Sequence, residues 1–252
     1  MSGRLLVTGL SGTLAPRLAR RAEAAGWQVV GWDRRAVPAD DGAQAREWLA
    51  GARPDAIAHL AIGGAAWAGL LAAHAQDNAV PLLFTSTAMV FDHAPDGPHD
   101  IADPRNARDD YGRGKIACED AIRSACPGAA IARLGWQIDE RATGNNMLAE
   151  LDRWHARDGR IVASARWTPA CSFMDDTCEG LLSLVETRHA GTVHLDSNAD
   201  DAWRFDQVVL ALKKRFARGW IVEVGASGSA YAHDQRLVGG AVTMPPLSRR
   251  LS

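Results

Sequence analysis

The chain is poor in lysine and tyrosine and carries no excess of either charge. Of its 252 residues only three are Lys and two are Tyr. Its 28 Lys and Arg face 30 Asp and Glu, which gives a formal charge of −2 with His neutral. Because such a chain has no broad basic surface, we predict that nucleic acid is not a partner. The 47% of hydrophobic residues are typical of a compact globular protein, which argues against a fibrous or disordered one.

Metal-binding and disulfide patterns are also missing from the sequence. The four cysteines, Cys118, Cys126, Cys171 and Cys178, form no CxxC pair, and the eight histidines show no ligand spacing along a helix. We therefore expect reduced thiols and no metal site. The N-terminal segment is too short in apolar residues for a signal-peptide core, so we expect a cytoplasmic protein.

One segment is long enough to cross a bilayer by its charge pattern. Between Asp55 and Asp77 lie 21 residues without Asp, Glu, Lys or Arg. The segment contains histidines and is broken by Gly63-Gly64. A buried strand followed by a core helix fits this composition better than a membrane span.

Short apolar runs alternate with helical patterns along the chain, which is typical of βαβ units and predicts an α/β fold with a mostly parallel sheet. Strands are predicted over residues 5–7, 28–32, 55–61, 81–85, 129–134, 191–195 and 220–224. Helices are predicted over 13–25, 43–50, 65–76, 110–124, 145–157, 175–187 and 203–216. Two segments with proline and no clear period, 93–109 and 163–171, are predicted loops.

A glycine-rich turn follows the first predicted strand and opens the first helix. It runs from Thr8 to Ala15, with Gly9 and Gly12 as its glycines. Small residues there let the backbone approach a pyrophosphate, although a simple βα turn would look similar. Asp33 ends the second strand, where it can bind ribose hydroxyls. Arg34 and Arg35 follow and offer a contact for a 2′-phosphate instead, which leaves the choice between NAD and NADP open.

The most specific pattern is Tyr111 with Lys115. Four residues apart on a helix, the two side chains share a face, and a nearby ammonium favours tyrosinate. We therefore expect Tyr111 to exchange a proton near neutral pH. The alternative is a tyrosine that packs on the sheet beside a solvated lysine. Upstream, Thr85, Ser86 and Thr87 place three hydroxyls in a row at the end of the fourth strand, where a substrate oxygen can be held.

Together these residues resemble the extended short-chain dehydrogenase/reductase family, and within it the dTDP-4-dehydrorhamnose reductases. The likeness rests on Thr8-Gly9-x-x-Gly12, Asp33, His59-Leu60-Ala61, Ser86 to Asp92 and Tyr111 to Glu119. It implies a Rossmann-type doubly wound parallel sheet over residues 1–140. It also implies a small C-terminal substrate-binding lobe over 141–252, partly interleaved with the first domain.

The resemblance also implies a role for each matched residue. Tyr111 would be the general acid, Lys115 would hold the nicotinamide ribose and lower the pKa of the tyrosine, and Thr87 would bind the substrate carbonyl. The residues implied at the cofactor, besides Tyr111 and Lys115, are Gly9, Leu10, Ser11, Gly12, Thr13, Leu14, Asp33, Arg34, Arg35, Leu60, Ala61 and Ile62. Those implied at the substrate are Ser86, Arg133, Trp136 and Trp167.

The chain departs from the family in two places. Trp67 stands in the helix where the wider family often has Asn for a proton relay. After Arg133 comes Gly135-Trp136 without a Pro-Gly pair.

The implied function is reduction of a keto group by NAD(P)H on a nucleotide sugar or a similar polar ketone. Two alternatives remain open at this point. One is an epimerase or dehydratase that holds NAD tightly, and the other is a nucleotide-binding regulatory subunit without catalysis. No membrane partner is expected, and a homodimer is compatible with each interpretation.

Overall fold

The computed structural model describes residues 3–141, 144–225 and 232–251. Its first half alternates strands and helices as the apolar pattern predicts. These elements are β1 (Arg4–Thr8), α1 (Ala15–Ala24), β2 (Gln28–Gly31), α2 (Gly42–Ala52), β3 (Ala56–His59), α3 (Ala65–Asp77), β4 (Leu82–Thr87), α4 (Asp110–Ala125) and β5 (Ala130–Leu134), with a 3₁₀ turn at Ala88–Val90. The second half holds β6 (Trp136–Ile138), α5 (Met147–Asp158), β7 (Ile161–Ser164), β8 (Cys171–Phe173), α6 (Met174–Glu186), β9 (Gly191–Leu195), α7 (Phe205–Arg215), β10 (Val222–Gly225) and α8 (Ser248–Leu251).

The described chain divides into two compact units that interleave along the sequence. The first unit contains the chain up to Val90 together with Ala107–Arg133 and Cys178–Val193. The second contains Phe91–Asn106, Leu134–Thr177 and the chain from His194 onward.

A six-stranded sheet forms the first unit, in the order β2-β1-β3-β4-β5-β9. β1 is parallel to both β2 and β3, and β3 is parallel to β4. The chain passes from β1 to β2 on one side and then returns to place β3 on the other side of β1. This reversal creates a crevice at the carboxyl ends of β1 and β3, where α/β sheets bind their ligands.

Burial explains why these strands pair in a parallel sheet. Every residue of β3 and β4 is buried, as expected for strands covered on both faces. The edge strand β2 is only partly buried. The core of this unit packs side chains of the sheet against α2, α3 and α4, with Trp32, Trp67, Leu71, Phe84 and Ile122 among them.

The second unit contains two small parallel sheets, β6 with β8 and β7 with β10. Its core is aromatic. Trp167 and Phe205 lie 4.8 Å apart between ring centroids, and Trp136 stacks on Phe205 at 6.2 Å. Leu247 and Leu251 of the C-terminal segment are buried in the same cluster.

The predicted α/β fold is confirmed, and most predicted elements lie within two residues of the observed ones. The predicted loop 163–171 is wrong at its ends, because Ser164 closes β7 and Cys171 opens β8. β6, β7, β8 and α8 were not predicted, since elements of three or four residues are too short to show a period.

The charge-free segment between Asp55 and Asp77 contains β3 and the 13-residue helix α3. Within the ranges that the model describes, no helix is long and apolar enough to span a membrane. The four cysteines are buried, and within the described residues none of them forms a disulfide.

Candidate active site

The turn after β1 requires glycine at its first position. Gly9 has a φ of +87°, and a Cβ there would lie 2.9 Å from the backbone nitrogen of Ala61. The Gly12 N–H closes the turn on the Gly9 carbonyl at 2.8 Å. The helix α1 then begins with no acidic residue in its first turn and no side-chain cap from Leu14. The positive end of the helix dipole therefore meets no carboxylate from the helix itself and suits an anion.

Thr8, the last residue of β1, fixes the loop that follows β3. Its Oγ1 accepts hydrogen bonds from the N–H groups of Leu60 and Ala61, each at 3.1 Å. It also lies 2.8 Å from Nδ1 of His59. Burial, assisted by the charge of Lys115, lowers the pKa of His59 to about 3. The imidazole is therefore neutral, and we assign the Thr8 hydroxyl as donor to Nδ1, because its oxygen already accepts twice.

Asp33 and the two arginines after it are exposed at the end of β2. Oδ1 of Asp33 accepts from the Arg35 N–H at 2.9 Å, which holds the carboxylate in a tight turn. The Arg34 guanidinium donates instead to the carbonyl of Ile62 at 3.1 Å. The structure thus brings these residues to the same crevice as the glycine turn.

Thr87 lies close enough to Tyr111 for its hydroxyl to lower the pKa of the phenol. Asp109 caps α4 by accepting from the Gly112 N–H at 2.8 Å. Gly112 has to be small, because a Cβ there would overlap the carbonyl oxygen of Met89. This close approach carries the first turn of α4 to the end of β4.

Lys115 is buried next to the same strand. Its Nζ donates to the carbonyl of Thr85 at 2.8 Å and lies 4.7 Å from the centre of the Phe84 ring. Burial lowers the pKa of Lys115 to about 8. The sequence did not indicate Thr85 as the partner of Lys115, because the acceptor is a backbone carbonyl, which every residue type carries.

The predicted lowering of the Tyr111 pKa by Lys115 is wrong for this arrangement. Nζ of Lys115 lies 6.0 Å from the centre of the Tyr111 ring and donates to Thr85 instead. Burial raises the pKa of Tyr111 above its ordinary value, and the hydrogen bond from Thr87 offsets this in part. Tyr111 is therefore protonated at neutral pH, although 43% of it is exposed.

Ser86 and Arg133, both predicted at the substrate, bind Glu119 of α4. Arg133 is 1% exposed and holds both carboxylate oxygens, at 3.1 and 3.0 Å, and the Ser86 hydroxyl donates at 2.6 Å. Burial alone would raise the pKa of Glu119, but hydrogen bonds from Arg133 and Ser86 and the charges of Arg133 and Arg123 lower it. Through these hydrogen bonds, Glu119 holds α4 to both β4 and β5.

The two predicted substrate tryptophans belong to the second unit. Trp167 is 6% exposed within the aromatic core, whereas Trp136 is partly exposed beside it. Trp67 of α3 packs in the first unit, 5.3 Å from Trp32 and 4.7 Å from His59 between ring centroids. Among the described residues, no three His, Cys, Asp or Glu side chains are placed to hold a metal ion.

Two family models match the chain. The model for the RmlD substrate binding domain matches residues 64–219, which is more than half of the chain. The model for the NAD dependent epimerase/dehydratase family matches residues 5–70.

Relatives of known name match over about half of the chain. A dTDP-4-dehydrorhamnose reductase from Mycobacterium tuberculosis is 31% identical over 130 residues, covering 50% of this chain and 42% of the relative. A probable low-salt glycan biosynthesis reductase from Haloferax volcanii is 34% identical over 140 residues, covering 52% of this chain and 45% of the relative. The matched segments thus span less than half the length of these relatives.

Solved structures match the fold over nearly the whole chain. The dTDP-4-dehydrorhamnose reductase from Bacillus anthracis, in complex with NADP, has a TM-score of 0.83 at 18% identity and covers 99% of this chain and 97% of its own. The enzyme WbmH from Bordetella bronchiseptica, in complex with NAD⁺, has a TM-score of 0.80 at 17% identity, covering 100% and 96%. With the Rossmann-type sheet and the family model in agreement, the chain belongs to the RmlD family of the extended short-chain dehydrogenases/reductases.

Proposed function

We propose that the protein is an NAD(P)H-dependent reductase that converts a keto group of a nucleotide-linked sugar to a hydroxyl. The observation that carries this proposal is the placement of Thr87, Tyr111 and Lys115 together at the carboxyl end of β4. The names of its relatives, dTDP-4-dehydrorhamnose reductases, support a 4-keto sugar on a nucleoside diphosphate as the substrate class.

The crevice at β1 fits a dinucleotide. The backbone of Gly9 approaches Ala61 closely, and the N-terminal end of α1 after this turn is assigned to the pyrophosphate. Asp33 offers carboxylate oxygens to ribose hydroxyls at the end of β2. A reduced nicotinamide dinucleotide held there would supply hydride to the carbonyl carbon of the substrate.

Thr87 and Tyr111 act on the substrate oxygen. In this proposal a carbonyl oxygen placed between the two hydroxyls accepts a hydrogen bond from each of them. Because burial raises the pKa of Tyr111, the phenol keeps its proton until charge develops on that oxygen. Tyr111 then donates this proton as the alkoxide forms, and Thr87 holds the oxygen in place.

Lys115 also belongs to this site. Its ammonium is held by the Thr85 carbonyl, one residue before Ser86 and two before Thr87. We assign it to the hydroxyls of the nicotinamide ribose, which a three-proton donor binds without leaving Thr85.

The two units take different parts of this reaction in the proposal. The first carries Thr87, Tyr111, Lys115 and the glycine turn, and we assign it the dinucleotide. The second, with Trp136 partly exposed on an aromatic core, is assigned the sugar nucleotide. The homodimer and the cytoplasmic location stay predictions.

The proposal is tested by steady-state kinetics with dTDP-4-dehydrorhamnose and either NADPH or NADH. Wild-type protein oxidises the cofactor, whereas Tyr111→Phe loses at least about 10²-fold in kcat because no proton donor remains. The same variant binds the dinucleotide as wild type does, measured by quenching of tryptophan fluorescence. Full turnover by Tyr111→Phe would refute the assignment.

An epimerase that recycles its cofactor is the second candidate, favoured by the match of residues 5–70 to the epimerase/dehydratase family. It requires NAD that stays bound through purification. Nucleotide released from denatured, freshly purified protein, together with interconversion of sugar epimers without added NADH, would favour it over the reductase.

A further inference from the structure

A carboxylate is held against the first turn of α4. Asp109 is the N-cap of this helix, and its Oδ1 accepts from the Gly112 N–H at 2.8 Å. Its Oδ2 lies 3.0 Å from the position that a Cβ of Gly112 would take. Both carboxylate oxygens therefore lie beside the turn of which Tyr111 is the second residue. The hydrogen bond of the cap fixes the negative charge in this place.

The neighbouring charged residues of the same turn are paired with each other. Asp110 forms an ion pair with Arg113, which also donates to the Arg108 carbonyl. The strand β4 and the 3₁₀ turn after it pack against α4 and contain no charged residue. From that side, Thr87 approaches Tyr111 with a hydroxyl.

Lys115 and the neighbouring helix α3 direct their charges elsewhere. The Lys115 ammonium donates to the Thr85 carbonyl and lies 6.0 Å from the centre of the Tyr111 ring. The titratable side chains of α3, His74 and Asp77, lie in its last turn. Both α3 and α4 follow strands of the same parallel sheet and begin at its carboxyl end. The last turn of α3 therefore lies at the opposite end of the sheet from Tyr111.

The charge of Asp109 acts on the phenol of Tyr111. Removal of the phenolic proton would place a second negative charge near the carboxylate, and like charges disfavour this. Burial raises the pKa of Tyr111, and the charge of Asp109 raises it further. Because reduction of a carbonyl group begins with a protonated acid, a charge that retains this proton serves reduction.

On the basis of the proposed function, we propose that Asp109 is a positioning residue that keeps Tyr111 in its acid form. Its hydrogen bond fixes the first turn of α4, and its charge opposes loss of the phenolic proton. The two effects can be separated, because Asn and Ser cap a helix about as well as Asp and carry no charge. Asp109 thus extends to higher pH the range in which reduction can begin.

The test is a pH titration of the full chain, labelled with ¹³Cζ-tyrosine and followed by NMR. Because the chain has only two tyrosines, Tyr231→Phe leaves the signal of Tyr111 alone. In this background Asp109→Asn and Asp109→Ser each lower the pKa of Tyr111 by about 0.5, and high salt diminishes the difference. In kinetic assays of the same variants, kcat/KM for reduction declines at a correspondingly lower alkaline pH.

Asp41→Asn is the matched control. Asp41 caps α2 as Asp109 caps α4, and it accepts from the N–H groups of Ala43 and Gln44. Its substitution removes a carboxylate from a helix N-cap of the same unit and leaves the pKa of Tyr111 unchanged.

An unchanged or higher pKa of Tyr111 in both capping variants would overturn the role of Asp109, and so would an equal fall in Asp41→Asn. The NMR titration uses neither cofactor nor substrate, so its result does not depend on the proposed function. A wild-type protein that oxidises neither NADH nor NADPH with a keto sugar would overturn the proposed function instead, whatever the titration shows.

Discussion

The ammonium of Lys115 donates to the backbone carbonyl of Thr85 at 2.8 Å, so the four-residue spacing between Tyr111 and Lys115 on one helix face does not make them direct partners. The helix instead presents each side chain to a different residue of β4. Lys115 binds the carbonyl of Thr85, whereas Tyr111 lies near Thr87, two residues further along the strand. Strand and helix therefore act together in holding this site.

The burial of Lys115 predicts a specific pH dependence of stability. Its pKa falls from 10.5 to about 8 in the folded protein, so between these values the unfolded chain binds a proton that the folded chain does not. Folding therefore becomes more favourable as pH rises from about 8 to 10.5. Relative to Lys115→Met, wild type gains up to about 3 kcal/mol over this range in urea unfolding.

Lys214→Met, at an exposed position on α7, controls for the loss of a lysine. If the stability difference between wild type and Lys115→Met stays constant from pH 8 to 10.5, Lys115 is not buried as described.

Gly9→Ala tests the close approach in the dinucleotide crevice. The φ of +87° costs an alanine about 1 kcal/mol, and its Cβ would press on the nitrogen of Ala61 at 2.9 Å. Because this contact displaces the loop after β3, we expect at least about tenfold weaker binding of NADH in a fluorescence titration, equivalent to ~1.4 kcal/mol.

Gly26→Ala is the matched control, because Gly26 has a similar φ of +92° but open space around a Cβ. It carries the backbone strain alone and keeps full affinity for NADH. Equal affinities of the two variants would contradict the role of the Gly9 turn.

Glu119→Ala tests the network beneath the site. The substitution leaves the guanidinium of Arg133 buried without its carboxylate, which costs about 3–5 kcal/mol of unfolding free energy. Ser86→Ala removes one hydrogen bond from the same carboxylate and costs about 1 kcal/mol. Denaturant unfolding of both variants measures these differences.

Arg21→Ala serves as the comparison, because Arg21 and Glu179 form an exposed pair at 2.7 Å that contributes at most about 1 kcal/mol. A cost for Glu119→Ala no larger than for Arg21→Ala would show that the buried pair does not hold β5 to α4.

The sequence predicted the first unit well because its signals are local. The run Leu5-Leu6-Val7 and the glycine turn after it are adjacent in the chain, and the buried strands read as continuous apolar runs. Tyr111 and Lys115 were predicted from their spacing and Thr87 from the resemblance, and the structure brings the three residues to one end of β4.

The remainder depends on contacts between distant segments. The sequence near Ser86 and Arg133 does not show that both will donate hydrogen bonds to the Glu119 carboxylate, so both residues were predicted at the substrate. Thr8 was identified only as part of the glycine turn, because its hydrogen bonds to Leu60 and Ala61 cross from one strand to another. The short strands of the second unit are defined by their pairing with other strands. The periodicity of the sequence does not predict this pairing.

Isotope transfer tests the central claim most directly. Wild-type protein is incubated with dTDP-4-dehydrorhamnose and NADPH or NADH deuterated at the transferring position, and the product sugar is analysed by mass spectrometry. The account predicts a reduced sugar that carries the deuterium on the former keto carbon, with one oxidised dinucleotide formed per product. A sugar that is epimerised or unchanged, with no deuterium and no oxidised dinucleotide, would contradict it.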